Sequence, residues 1–271
     1  MFGNKKSFEV FPSLIILVAS ALITIVLKPQ SYQRPSVLRV AHAGGELIDM
    51  KMTNSLDALN ANERVFDFFE IDLNFTQDGR LVCLHDWAES FEYTFGFKIK
   101  EPLTYDEFID LVRKNKKFTN CTLESLMVWL SKHPTKKLVT DVKDNNIGAL
   151  KVISDKYPQY LNQVIPQIYS PDEYYPIWKM GYRDIIFTVY RFGFDKQKII
   201  KAVNRYDLFA ITMPASGVPI LGKLLNDLKI PIYVHTINST EDANTLLSGG
   251  VSEIYTDNLR PTAMKSSETS G

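Results

Sequence analysis

Short runs of apolar, β-branched residues recur along most of the chain, and amphipathic stretches separate most of them. Eight such runs predict strands, at Val37–Ala41, Phe68–Leu73, Leu138–Val142, Val164–Tyr169, Asp184–Val189, Leu208–Thr212, Pro231–Thr236 and Ser252–Tyr255. The stretches between them carry helix start signals, such as a capping box from Thr104 to Glu107. Eight strands alternating with helices over about 225 residues predict an α/β fold, a (β/α)8 TIM barrel. A doubly wound open sheet is the alternative, because periodicity alone does not separate the two.

A ninth apolar run, Leu81–Leu84, follows the second predicted strand after an Asp78-Gly79 turn. A connection this short makes an antiparallel hairpin, whereas neighbouring strands of a TIM barrel are parallel and need longer crossovers. We therefore expect an accessory hairpin strand beside the second barrel strand.

The N-terminal part of the chain has a different pattern. Residues 10–27 are 18 consecutive positions without a charge, and as a helix they would reach about 27 Å, close to the thickness of a hydrocarbon core. We expect an uncleaved, single-pass transmembrane helix with the following domain outside the cytoplasm; a cleaved signal peptide is the alternative. The predicted organisation is an N-terminal flank at 1–9, the anchor at 10–27, a linker at 28–36, the barrel domain at 37–262 and a flexible tail at 263–271.

Composition excludes several classes of protein. The chain has 31 basic and 31 acidic residues, a formal net charge of zero, and nucleic-acid binders usually carry a basic excess. Its two cysteines, Cys83 and Cys121, are too few for a disulfide scaffold or a cysteine-rich zinc module. Buried free thiols are the default expectation for the pair, and a disulfide between them stays open.

Polar residues gather where the predicted strands end, which is where TIM barrels build their active sites. They are His42, Glu70, Asp72, His85, Asp141 and Lys143. Carboxylates without neighbouring cysteine suit a hard cation such as Ca²⁺ or Mg²⁺, and two histidines suit acid and base roles near neutral pH. A lysine adds positive charge for an anionic substrate. Together these groups predict metal-assisted phosphoester chemistry.

Seven segments carry a resemblance to a known family. They lie at 41–45, 53–59, 69–87, 140–143, 165–174, 233–238 and 250–261. The most specific is 69–87, where Glu-x-Asp, the Asp-Gly turn and His85-Asp86 follow one another. In these segments and their order, the chain resembles the glycerophosphodiester phosphodiesterases, a family of phospholipase-C-like phosphodiesterase barrels.

The resemblance implies a reaction and a set of roles. His42 and His85 would be the catalytic acid–base pair. Glu70, Asp72 and Asp141 would hold a divalent cation, and Lys143 would contact the phosphate. The implied reaction hydrolyses a glycerophosphodiester, or a lysophospholipid that the anchor brings within reach, to glycerol 3-phosphate and an alcohol.

The chain departs from the family pattern at several positions. Ala43 replaces the arginine that usually follows the first histidine, and Arg191 is our candidate replacement for the missing phosphate-binding guanidinium. Thr53 and Asp141 stand where glutamate is usual. His235 stands where tryptophan is common, and we expect it to bind substrate. We interpret the chain as a divergent branch of the family.

Two hypotheses follow from these residues. The first is a membrane-anchored, metal-dependent phosphodiesterase with no nucleic-acid partner. The second is an anchored pseudoenzyme barrel that binds a phosphodiester or a protein without turnover. The changes at Ala43 and Thr53 favour the second, and the intact His42, His85 and Glu70 favour the first more strongly.

Overall fold

Eight parallel strands form a closed barrel in the computed structural model, which describes residues 39–261. The strands are Val40–Ala41 (β1), Phe68–Phe75 (β2), Leu81–Cys83 (β3), Lys137–Asp141 (β4), Val164–Ile168 (β5), Ile186–Thr188 (β6), Ala210–Pro214 (β7), Ile232–His235 (β8) and Glu253–Thr256 (β9). β1 pairs in parallel with both β2 and β9, which closes the ring. The predicted TIM barrel is confirmed, and the doubly wound open sheet is excluded.

β3 is the accessory strand. It pairs antiparallel with β2, with Leu73 opposite Cys83 and Phe75 opposite Leu81. Gly79 closes the turn with φ of +77°, a conformation that glycine adopts without steric cost. The predicted hairpin is confirmed, and it places His85 directly after a strand that lies beside β2.

Nine α-helices follow or connect the strands in the described residues. They are Leu56–Asn62 (α1), Glu89–Phe95 (α2), Tyr105–Lys114 (α3), Leu123–Lys132 (α4), Asn146–Lys156 (α5), Tyr174–Lys179 (α6), Lys196–Arg205 (α7), Val218–Asp227 (α8) and Thr240–Ser248 (α9). The predicted capping box begins α3, where the Thr104 hydroxyl accepts from the Glu107 amide and the Glu107 carboxylate accepts from the Thr104 amide. These caps satisfy amides that a helix start leaves without partners.

Side chains that alternate along each strand build two apolar layers. The outward-facing residues of the strands, such as Phe69 and Ile71 of β2, pack against the helices. The inward-facing residues fill the amino-terminal half of the barrel: Val40, Phe68, Val139, Ile165, Ile186, Phe209, Ala210, Tyr233 and Tyr255. These side chains fill this half of the barrel, although a buried ion pair between Arg39 and Glu253 lies at the amino-terminal ends of β1 and β9.

Cys83 and Cys121 form a disulfide, so the expectation of buried free thiols is wrong. Cys83 ends β3 and Cys121 precedes α4, and the Cys83 amide also donates to the Cys121 carbonyl. The two cysteines lie 38 residues apart in the sequence and meet because the fold packs the end of β3 against the start of α4. The bond ties the accessory hairpin to the helix layer.

Several predicted boundaries fall beyond the residues that the structure describes. The anchor at 10–27, the linker at 28–36 and the tail at 263–271 lie there, and they stay predictions. Between residues 39 and 261, no helix has the length and apolarity that a membrane crossing needs.

Candidate functional site

Three carboxylates meet at the carboxyl-terminal end of the barrel. Glu70 and Asp72 are two residues apart on β2, so both side chains leave the same face. The parallel register places Asp72 beside Asp141 of β4. One oxygen of each of the three carboxylates lies within 4.8 Å of the others, a spacing that a single cation can bridge. The structure thus brings the predicted ligand set together.

Two neighbours hold this acid cluster, which consists of Glu70, Asp72 and Asp141. Lys143 lies two residues beyond Asp141, with its Nζ 3.1 Å from the Asp72 Oδ1 and 3.7 Å from the Asp141 Oδ2. The Tyr169 hydroxyl donates to the Asp141 Oδ1. Burial and the charge of Asp72 raise the pKa of Asp141 above its ordinary value despite Lys143 and Tyr169.

Glu70 shows that the acid cluster suits a cation. Its Oε2 accepts from the Ala43 amide at 2.7 Å, but its Oε1 is buried without a hydrogen-bond partner. Burial and the charge of Asp72 raise the pKa of Glu70 to about 8. The acid cluster thus has three carboxylates near the one ammonium group of Lys143, and an orphaned carboxylate oxygen among them fits a hard, oxygen-binding divalent ion.

His42 lies directly after β1, close enough to Glu70 for the two charges to interact. Its Nδ1 is 2.9 Å from the Oδ1 of Asp257, a residue that follows β9. Burial alone would lower the pKa of His42, but the hydrogen bond with Asp257 and the charges of Glu70 and Asp72 outweigh it and raise the pKa to about 9. Asn238 in turn donates to the Oδ2 of Asp257, which fixes this carboxylate.

His85 has the same arrangement. Its Nδ1 is 2.7 Å from the Oδ2 of the adjacent Asp86. Burial tends to raise the pKa of Asp86, but hydrogen bonds from His85, from the Ser90 hydroxyl and from the Ala88 amide hold it well below its usual range. In both histidines a carboxylate thus occupies Nδ1, and Nε2 is the nitrogen left for proton transfer.

His235 ends β8 and lies at the same end of the barrel. Its Nδ1 is 3.1 Å from the Thr212 hydroxyl oxygen, and its ring packs edge-on against Tyr190 and Tyr255. Burial, with the charges of His42 and Lys143, lowers the pKa of His235 to about 4. His235 is therefore neutral at physiological pH and offers a substrate hydrogen bonds but no charge; its role in substrate binding stays a prediction.

Arg191 lies on the same rim as Lys143. Its Nη1 donates to the Lys143 carbonyl at 3.0 Å, and its guanidinium lies 4.6 Å from the centre of the Tyr169 ring. The position that carries arginine in the family is the fully buried Ala43, which serves the site through its backbone amide. The placement of Arg191 is compatible with phosphate binding, which stays a prediction.

Sequence reasoning missed three residues that hold the site. Asn54 makes two hydrogen bonds with Asp72, both at 2.9 Å. The Asn54 Nδ2 donates to the Asp72 Oδ2, and the Asn54 Oδ1 accepts from the Asp72 backbone amide. Asp257 and Tyr169 position His42 and Asp141 as described above. All three lie in segments that carry the family resemblance, and this was the only sequence signal that could have identified them. Their contact partners are distant in sequence, so no local pattern predicts these contacts.

Comparison with solved structures gives the same architecture. A glycerophosphodiester phosphodiesterase from Thermotoga maritima matches with a TM-score of 0.63 at 18% identity, over 84% of this chain and 96% of that chain. One from Parabacteroides distasonis has a TM-score of 0.64 at 16% identity, over 82% of this chain and 93% of that chain. A phosphodiesterase from Oleispira antarctica, solved in complex with the product sn-glycerol-3-phosphate, has a TM-score of 0.58 at 16% identity, over 81% and 92% of the two chains.

Comparison by sequence finds no such match. No protein-family model matches the chain, and neither does any curated protein. The structural likeness therefore establishes the fold: the chain has the barrel of the solved glycerophosphodiester phosphodiesterases.

Proposed function

We propose that this chain is a metal-dependent glycerophosphodiester phosphodiesterase. The observation that carries the proposal is the acid cluster with the orphaned Glu70 Oε1, near two histidines whose Nδ1 atoms are both held by carboxylates. The family resemblance of the sequence and the shared barrel fold support the same activity.

The reaction cleaves the phosphorus–oxygen bond to the alcohol. One histidine takes a proton from the nucleophile, which is water or the neighbouring glycerol hydroxyl, and the other gives a proton to the leaving oxygen. Asp257 and Asp86 each bind the Nδ1 of one ring and so keep the two rings oriented. A divalent cation held by Glu70, Asp72 and Asp141 would stabilise charge on the phosphoryl oxygens. With water added, the products are glycerol 3-phosphate and the alcohol.

The test uses the purified full-length chain in mild detergent. Glycerophosphodiesters are supplied with Ca²⁺ or Mg²⁺, with and without a chelator, and release of glycerol 3-phosphate is measured. We expect metal-dependent release, and a loss of about 10³-fold or more in His42→Ala and in His85→Ala. His133→Ala is the matched control, because His133 follows α4, binds Glu63 and precedes the start of β4, whereas the acid cluster lies where the strands end. No release with any metal would refute the proposed activity.

A pseudoenzyme is the second candidate function, and the buried Ala43 in place of a guanidinium is the observation that favours it. If the chain is a pseudoenzyme, it should bind a glycerophosphodiester in titration calorimetry. After long incubation with the protein, the glycerophosphodiester should be recovered intact and should bind with the same affinity. Turnover in the assay above excludes it.

We further propose that residues 10–27 anchor the barrel to a membrane, with the barrel outside the cytoplasm. The uncharged length of this segment supports an anchor, and the Cys83–Cys121 disulfide supports an oxidising compartment. In sealed membranes, protease added from the cytoplasmic side should leave the barrel intact. Digestion from that side would contradict the orientation.

Lysophospholipids in vesicles extend the substrate panel, because an anchored barrel meets them in its own membrane.

A further inference from the structure

A cavity of about 280 Å³ adjoins the acid cluster on the side of β4 and β5. Lys143 and Tyr169 line the cavity and also contact the cluster, Lys143 through Asp72 and Tyr169 through Asp141. A group bound in this cavity would therefore be adjacent to a phosphoryl group held at the acid cluster.

One wall of the cavity is positively charged. Lys143 and Arg191 line it together, and the Arg191 guanidinium lies over the Tyr169 ring while it donates to the Lys143 carbonyl. This wall suits the anionic phosphate of a diester.

Another part of the cavity lining carries hydrogen-bond acceptors. It consists of Glu173, which follows β5, and Asn146, which begins α5. The Glu173 Oε2 accepts from the Asn146 Nδ2 at 2.6 Å, and burial raises the pKa of Glu173 despite this hydrogen bond. Asn146 is 6% exposed and also donates to the Gln167 carbonyl, so both protons of its amide are used. Its Oδ1 is buried without a hydrogen-bond partner. This part of the lining thus has one acceptor without a donor, the Asn146 Oδ1, next to a carboxylate that is itself hydrogen-bonded.

We propose that the cavity binds an alcohol head group with a primary ammonium, as in an ethanolamine ester, and so selects zwitterionic glycerophosphodiesters. The proposal rests on the proposed phosphodiesterase function. The phosphate would face Lys143 and Arg191, and the ammonium would donate to Glu173 and to the vacant acceptor of Asn146. A neutral polyol head group would fill the same volume but add no positive charge next to the half-buried Glu173 carboxylate, which only the more distant charge of a residue such as Arg191 would then offset.

The experiment measures kcat/KM of the full-length chain for two substrates, glycerophosphoethanolamine and glycerophosphoglycerol, and compares their ratio between variants. Glu173→Gln keeps the shape of the side chain and removes its charge. We expect it to lower the ethanolamine-to-glycerol ratio by about 10-fold, the effect of one charged hydrogen bond. The matched control is Asp172→Asn, an exposed neighbour in the same turn that does not line the cavity; it should leave the ratio and both rates unchanged.

The outcomes separate this inference from the proposed function. A ratio that Glu173→Gln leaves unchanged, or a wild-type chain that hydrolyses only the glycerol ester, overturns the ammonium site and leaves the phosphodiesterase in place. A wild-type chain that hydrolyses neither ester under any metal overturns both. A selective fall of the ratio in Glu173→Gln supports the site, and the glycerol ester serves as the check that the variant is folded.

Discussion

The two ends of the barrel interior are built from the same strands but have opposite chemistry. On β2 the inward positions run from Phe68 to Glu70 to Asp72, and on β4 they run from Val139 to Asp141. The residues near the amino-terminal end are apolar and buried, which stabilises the fold. The residues near the carboxyl-terminal end are charged and nearly as buried, which costs stability unless partners compensate. The amino-terminal end therefore stabilises the fold, and the carboxyl-terminal end forms the candidate site at a cost in stability.

The backbone shows the same difference. Ala43 and Asn54 both have φ of +47°, a left-handed conformation that costs non-glycine residues free energy, and the Asn54 amide donates to the Ala43 carbonyl. These two residues hold Glu70 and Asp72. Strain near the acid cluster is thus tied to the residues that position its carboxylates.

The largest expected effect comes from Glu70→Gln. Activity should fall about 10³-fold, equivalent to about 4 kcal/mol, because the acid cluster loses one of the three carboxylates that we propose hold the cation. The raised pKa of Glu70 means that its ionisation costs folding free energy above its unfolded pKa of 4.5. In chelator at pH 8, the variant should therefore be more stable than the wild type by about 4 kcal/mol, the free energy that corresponds to this rise in pKa, measured by thermal unfolding. Glu241→Gln on the exposed face of α9 should change neither quantity. A variant that lost activity and stability together would contradict the contrast between the two ends.

Phe68→Ala tests the apolar end. Phe68 is 6% exposed and stacks on Phe209 at 6.2 Å between ring centres, so truncation should cost about 3–4 kcal/mol of unfolding free energy in urea titrations. Activity per folded molecule should stay near that of the wild type at low temperature, because the Phe68 ring packs on Phe209, which lies before the start of β7 and away from the strand ends that carry the acid cluster. Phe97→Ala, at 44% exposure, is the control and should cost under about 1 kcal/mol. Equal losses in the two phenylalanine variants would show that the amino-terminal half is not the main source of stability.

The disulfide supplements packing near the polar end. It ties β3, which leads into His85, to the start of α4, and it closes a separation of 38 residues. Replacing both cysteines with alanine should cost about 3 kcal/mol. A reductant should lower the melting temperature of the wild type and leave that of the double variant unchanged. The same response of both proteins to reductant would show that the effect does not come from this bond.

The sequence predicted the strands and the end at which the site lies, because both depend on local alternation of apolar and polar residues. Glu70 and Asp72 share a strand, and Asp141 and Lys143 lie where the next barrel strand ends. Because parallel strands end at the same edge of the barrel, the sequence could predict that these four side chains lie close together. The partner of His42 could not be predicted, because Asp257 is 215 residues away and meets it only when β1 pairs with β9. The pairing of Cys83 with Cys121 likewise depends on how the hairpin packs on α4, which no local pattern encodes.

The smallest expected effect concerns the His42–Asp257 pair and depends on pH. Folding raises the pKa of His42 from 6.5 to about 9, so the folded chain binds this proton more tightly than the unfolded chain does. Asp257, Glu70 and Asp72 together raise this pKa, so their interaction with the protonated His42 stabilises the fold fully below about pH 6.5 and is lost as the pH rises through 9, with a total of about 3 kcal/mol. Because Asp257 supplies only part of this total, the difference in unfolding free energy between wild type and Asp257→Asn in chelator should be larger at pH 6 than at pH 9.5 by about 2 kcal/mol. The hydrogen bonds between Asp257 and Asn238 contribute about equally at both values, so the change with pH isolates the histidine. Asp227→Asn on the exposed side of α8 should show no such change, and a difference for Asp257→Asn that stays constant between pH 6 and 9.5 would mean that Asp257 acts on the fold only as a structural residue.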